Sequence, residues 1–150
     1  MKATDLLKKQ HKSVKALFKE VEKTEDGRRR RQLMEQIAGE LKIHTRIEEE
    51  IFYPAAREIG TSKVEELVDE SLEEHHVVDL VLAELPKVDP EDERFEAKMT
   101  VLSELVEHHA DEEEKEMFKS AQKLGKDELE ALGERMEERF EAFRGQRRAA

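Results

Sequence analysis

The residues best placed for chemistry are six histidines, His11, His44, His75, His76, His108 and His109, set among many carboxylates. His44 with Glu48, and His109 with Glu113, stand four residues apart, which on a helix puts imidazole and carboxylate on one face. Such a pair taken alone is a common surface contact, as His108 with Glu112 illustrates. The two segments match further. His44 is followed by Glu48, Glu49, Phe52 and Tyr53, and His109 by Glu113, Glu114, Met117 and Phe118, at the same offsets. This shared pattern selects His109 over His108 as the inward member of the doublet. Imidazole nitrogens and carboxylate oxygens together are donors for a cation. The chain has no cysteine, so thiolate sites, disulfides and thiol nucleophiles are excluded.

Three more histidines fall on apolar stripes, which with His109 makes four that point inward. His11 falls within Leu7, His11, Val14, Phe18 and Val21, and His44 within Leu33, Ile37, Leu41, His44, Ile47 and Ile51. His75 leads into Val78, Leu82 and Leu85. Each buried imidazole without a partner would cost about 1–3 kcal/mol, so something inside the fold must bond them. In an antiparallel bundle His44, His75 and His109 fall roughly 18 to 22 Å from one end, at a rise of 1.5 Å per residue. The same count places His11 lower. Four histidines and two glutamates suit two six-coordinate divalent ions of the iron or manganese type. With both glutamates bridging, the protein fills about eight of twelve positions, and a shared oxo or hydroxo group can take two more.

The elements that must carry these groups are helices. The first is predicted from an N-cap at Thr4 or Asp5 to just before Gly27, the second from Arg28 to Glu58 with Gly60 as terminator. Ser62 and Glu65 form a capping box opening the third, which Pro86 closes. Asp89 and Pro90 mark the start of the fourth, running toward Gly125. A fifth, shorter helix, capped by Asp127 with Glu130, carries Leu129, Leu132, Met136, Phe140 and Phe143 to Gly145. Alternating β-branched residues are missing almost everywhere. The expected class is all-α: an up-down-up-down four-helix bundle over residues 1–125, with an additional short C-terminal helix and basic tail, 126–150, packed on the same domain.

A net charge of -11 argues against nucleic acid as a partner. The basic clusters, Arg28 to Arg31 and Arg144 with Arg147 and Arg148, read as a solvated helix end and a tail. No run of 18 apolar residues and no signal-peptide pattern is present, so the expectation is a cytoplasmic chain without a membrane partner.

Taken in order, Gln10-His11, His44-x-x-x-Glu48-Glu49 with Pro54, Glu74-His75, and His109-x-x-x-Glu113-Glu114 with Phe118 resemble the hemerythrin-like, or HHE cation-binding, family, over about residues 4 to 123. The resemblance implies a non-haem di-iron centre, two iron ions with an oxo or hydroxo bridge. It assigns the ligands as His11, His44, Glu48, His75, His109 and Glu113. It further implies a small diatomic partner, dioxygen or nitric oxide, that is bound or sensed. Peroxidase, catalase or nitric-oxide-handling activity, and iron storage or donation, are the alternatives. Two features depart from the oxygen-carrying hemerythrins: Asp79 stands four residues after His75 where those proteins have a histidine, and the helix 4 carboxylate follows its histidine by four rather than five residues. Both point away from simple reversible oxygen carriage. Asp79 and Tyr53 are further candidates near the centre, as an oxygen ligand or outer acceptor and as a hydrogen-bond donor. Lys119, the counterpart of Pro54, is read as loss of helix-ending geometry.

Overall fold

A computed structural model describes residues 1–149, with side chains described as far as Gln146. Of the expected basic tail, the side chains of Arg147 and Arg148 and the whole of Ala150 therefore fall outside what is described. Five helices follow one another: α1 (Ala3–Lys23), α2 (Gly27–Ile47, a π-helical turn Glu48–Phe52, then Tyr53–Arg57), α3 (Ser62–Glu84), α4 (Glu93–Glu112, a π-helical turn Glu113–Met117, then Phe118–Ala121) and α5 (Lys126–Ala149). No strand occurs among the described residues.

Cross-helix pairs fix the topology. Glu20 meets Arg29 between α1 and α2, Asp69 meets Arg57 between α3 and α2, and Glu84 meets Lys98 between α3 and α4. Lys15 of α1 meets Asp111 of α4. Each neighbour is antiparallel, giving the up-down-up-down bundle that the short connections require.

Several helix ends differ from the sequence expectation. Thr61, not Ser62, caps α3, its Oγ1 accepting from the Val64 N–H at 3.2 Å. Asp92 caps α4 by accepting from the Arg94 N–H at 2.9 Å, while Asp89 serves the preceding turn by accepting from Glu91. In both cases a neighbouring polar residue of the same type competes for the cap, and the chain entering the helix decides between them. α1 begins at Ala3 with no side-chain cap. Gly60 and Gly125 adopt positive φ, 78° and 89°, where α2 and α4 give way to the next connection.

α5 is the longest departure. It passes through Gly145 and runs to Ala149, burying Leu129, Leu132, Met136, Phe140 and Phe143 along the outside of the bundle against Leu6, Ile43, Ile47 and Ile51. Arg46 and Arg139 each sit 4.3 Å from the Phe143 ring centre, and Arg139 reaches Glu50 at 3.1 Å. Gly133 lets the chain start approach: a Cβ there would lie 2.0 Å from the Met1 carbonyl oxygen.

The apolar interior divides in two. One part gathers Leu7, Phe52, Val68, Phe118 and the α5 side chains, the other Phe18, Leu33, Ile37, Leu82, Phe95 and Leu102. Between them lies a buried polar layer made of His11, His44, Glu48, His75, His109 and Glu113.

Candidate metal centre

Each of the four bundle helices delivers one histidine to this layer, and α2 and α4 add one glutamate each. His11 stands level with the others, its ring centre 4.9 Å from that of His44, rather than lower as counting from helix starts predicts. The starts of the helices are not level: His11 lies only eight residues into α1, so α1 begins short of the bundle end that α2 reaches.

All four imidazoles turn Nε2 inward and Nδ1 outward. His11 Nε2 lies 3.2 Å from Glu113 Oε1, and both His44 Nε2 and His75 Nε2 lie 3.2 Å from Glu48 Oε1. His109 Nε2 lies 3.3 Å from Glu113 Oε2. One candidate donor group comprises His11, His44, Glu48 and Glu113, a second Glu48, His75 and His109, each with its atoms within 4.8 Å of one another. Glu48 belongs to both, as a bridging carboxylate would.

On the outer side each Nδ1 meets an acceptor: Glu114 for His11 at 2.9 Å, Gln10 for His44 at 2.6 Å, Glu49 for His75 at 2.7 Å and Glu74 for His109 at 2.7 Å. With Nδ1–H donating outward, the Nε2 lone pair faces in, which is the tautomer a metal needs. Sequence reading quoted these four acceptors beside the donors but gave them no role. Adjacency cannot show that Glu114 of α4 serves α1, or Glu49 of α2 serves α3.

The α1/α2 half and the α3/α4 half repeat each other around this layer. Gln10, His11, His44, Glu48 and Glu49 correspond to Glu74, His75, His109, Glu113 and Glu114. The His11–His44 and His75–His109 ring centres are both 4.9 Å apart, and Phe118 stacks on His11 as Tyr53 does on His75. Both glutamates open a π-helical turn, in which the Tyr53 N–H donates to the Glu48 carbonyl and the Phe118 N–H to the Glu113 carbonyl. The extra residue in each turn keeps the carboxylate inward and swings the aromatic after it toward the layer. Lys119 and Pro54 both lie just beyond such turns, within helix, so neither ends it there.

The electrostatics call for positive charge. Burial opposes ionisation of Glu48, but the His44 charge and hydrogen bonds from its neighbours hold its carboxyl well below the ordinary range. Burial opposes protonation of His75, yet hydrogen bonds to Glu48 and Glu49 and the Glu48 charge lift it to about 9. His109, against the same burial penalty, is raised well above its ordinary value by Glu113, Glu48 and Glu74, and His11 is raised by Glu113, Glu48 and Glu114. Even so, the contacts at His11 Nε2, His44 Nε2, both Glu48 oxygens and Glu113 Oε1 are close without the alignment of a proper hydrogen bond, and these atoms are buried. Orphaned atoms that converge on shared points and compete for protons fit cations.

Two further residues bear on the layer. The Tyr53 hydroxyl donates to Glu113 Oε2 at 2.6 Å and lies 3.3 Å from His75 Nε2. Burial and the Glu113 and Glu48 charges push its pKa well above 10, so it remains a donor. Asp79 is exposed and takes no part, as are His76 and His108. On the side toward Val14, Leu41, Val78 and Val106 a cavity of ≈ 20 Å³ adjoins the four histidines.

No helix among the described residues is long and apolar enough to cross a membrane. A family model described as hemerythrin HHE cation binding domain matches residues 2–121. The uncharacterized protein Rv2633c of Mycobacterium tuberculosis is 33% identical over 148 residues, which is 97% of this chain and 89% of that protein. A Mycobacterium bovis protein, Mb2666c, matches to the same extent. The crystal structure of a hemerythrin HHE cation binding domain-containing protein, an Rv2633c homolog from Mycobacterium kansasii, is similar with a TM-score of 0.85. It is 30% identical and covers 97% of this chain and 89% of that one.

Proposed function

This chain belongs to the hemerythrin HHE cation-binding domain family, and on that premise we propose that it is a non-haem di-iron protein that binds or senses dioxygen or nitric oxide. His11, His44, Glu48 and Glu113 would hold one ion, and Glu48, His75 and His109 the other. When bound, a ferrous pair supplies Lewis acidity and up to two electrons. The protein contributes the rest. Outer acceptors fix each imidazole tautomer, and the two carboxylates balance the cation charge in a dry interior.

The observation that carries the reading is the cavity against the histidine layer. At ≈ 20 Å³ it holds one water-sized molecule, and apart from the histidines most of its wall is aliphatic, which favours a small neutral guest. The test is metal analysis with anaerobic spectroscopy. Two irons per chain are expected, with a reversible visible charge-transfer band when reduced protein meets dioxygen or nitric oxide. Fewer than two irons, or no band with either gas, would overturn it.

One observation favours a second reading, a peroxide-handling enzyme. Tyr53 places at the layer a hydroxyl donor of the kind that serves in proton transfer. Hydrogen peroxide turnover that disappears in His44→Ala would support it.

A further inference from the structure

Three of the four histidines pass Nδ1–H to a carboxylate, and His44 alone passes it to an amide. Because the two halves repeat residue for residue, Gln10 occupies the place that Glu74 occupies in the other half. A carboxylate accepting the Nδ1 proton makes Nε2 a stronger donor, whereas a neutral amide oxygen does so much less. His44 is therefore the weakest of the four imidazole ligands, in an otherwise matched set.

A second, independent feature falls on the same residue. A cleft of ≈ 460 Å³ runs from solvent between α1, α2 and α5 down to His44 and Gln10. Its charged lining is Lys9, Glu40, Glu137, Glu141 and Arg144; Arg144 pairs with Glu40 and Glu141, which leaves Glu137 as an acidic group along the way in. The cleft shares Gln10, Val14 and His44 with the small cavity, so these residues stand between solvent and the centre.

We propose that the position held by His11 and His44 is the weaker, exchangeable one of the two, that Gln10 sets the difference, and that the ion comes and goes through the cleft beneath α5. Gln10 is a positioning residue, acting through His44. The proposal rests on the two-metal reading, and it makes the centre one that gives up a single ion while keeping the other.

The test is anaerobic titration of the metal-stripped full chain with ferrous iron, followed calorimetrically, with timed chelator extraction of the loaded protein. The wild-type chain should bind two ions in steps separated by about tenfold or more, and lose one to chelator well before the other. Gln10→Glu should tighten the weaker step by about tenfold and slow the early loss. Glu74→Gln should weaken the stronger step by a similar factor. A gain in affinity from Gln10→Glu is not something a merely structural role produces, and the Glu74→Gln arm stands if that variant fails to fold. Two ions bound with equal affinity, or a weaker step unmoved by Gln10→Glu, overturns the inference and leaves the two-metal reading standing. Fewer than two ions in the wild-type chain overturns both.

Discussion

Tyr53 donates its hydroxyl to Glu113 Oε2 across 2.6 Å, whereas Phe118, its counterpart over His11, has no hydroxyl to give. The centre is thus asymmetric in its aromatic neighbours as well as in its outer acceptors. Tyr53→Phe should keep both metals, since Tyr53 is outside the six donors. It should destabilise the fold by about 1.5–3 kcal/mol, because a buried charged acceptor loses its hydrogen bond. Denaturant unfolding with metal analysis checks this, and an unchanged midpoint would show that the bond contributes nothing.

The small cavity is nearly filled by one guest. Val106→Leu adds a methylene to its wall, so nitric oxide association should slow by about tenfold while the iron content stays the same. Stopped-flow mixing under anaerobic conditions measures it. Unaltered kinetics would mean that ligand reaches the centre elsewhere.

Stability of the metal-stripped protein should depend on pH in a defined window. The folded-state pKa of His75 is about 9 against an ordinary 6.5, and those of His11 and His109 are also raised. A group raised on folding stabilises the fold fully below its unfolded value, and that contribution is lost as pH climbs through the folded value. The melting temperature of stripped protein should therefore fall between about pH 6.5 and 9. Loaded protein, with cations in place of those protons, should vary far less. A flat or rising profile for the stripped form would contradict the assigned contacts.

At Gly133 any Cβ would meet backbone of Met1, Lys2 and Ala3 at 2.0 to 3.0 Å. Gly133→Ala should cost about 1–3 kcal/mol by forcing α1 and α5 apart. Thermal unfolding reads the loss. A melting temperature equal to that of the wild type would show that the chain start yields freely.

Much of the candidate centre was legible before any coordinates, because burial of a helical side chain is a local, periodic property. His11, His44 and His75 sit on their apolar stripes by spacing alone, Glu48 shares a face with His44, and the repeat of His44 to Tyr53 in His109 to Phe118 picked His109 from its doublet. The π-helical turns were not legible, since a single phase step of about 100° in a stripe cannot be told from the ordinary scatter of apolar positions. The full extent of α5 was also missed. Gly145 reads as a stop, yet the helix continues past it.

The sequence by itself determined that these side chains face inward and that the chain is helical, since both follow from a period of 3.6 residues along one strand of chain. Only the tertiary structure decided that His11 is level with the rest, that Glu114 and Glu49 reach across to helices other than their own, and that His44 alone leans on an amide. Those depend on how far each helix slides and turns against its neighbours. That is set by packing on both sides of the polar layer and by α5, and no spacing within a single helix encodes it.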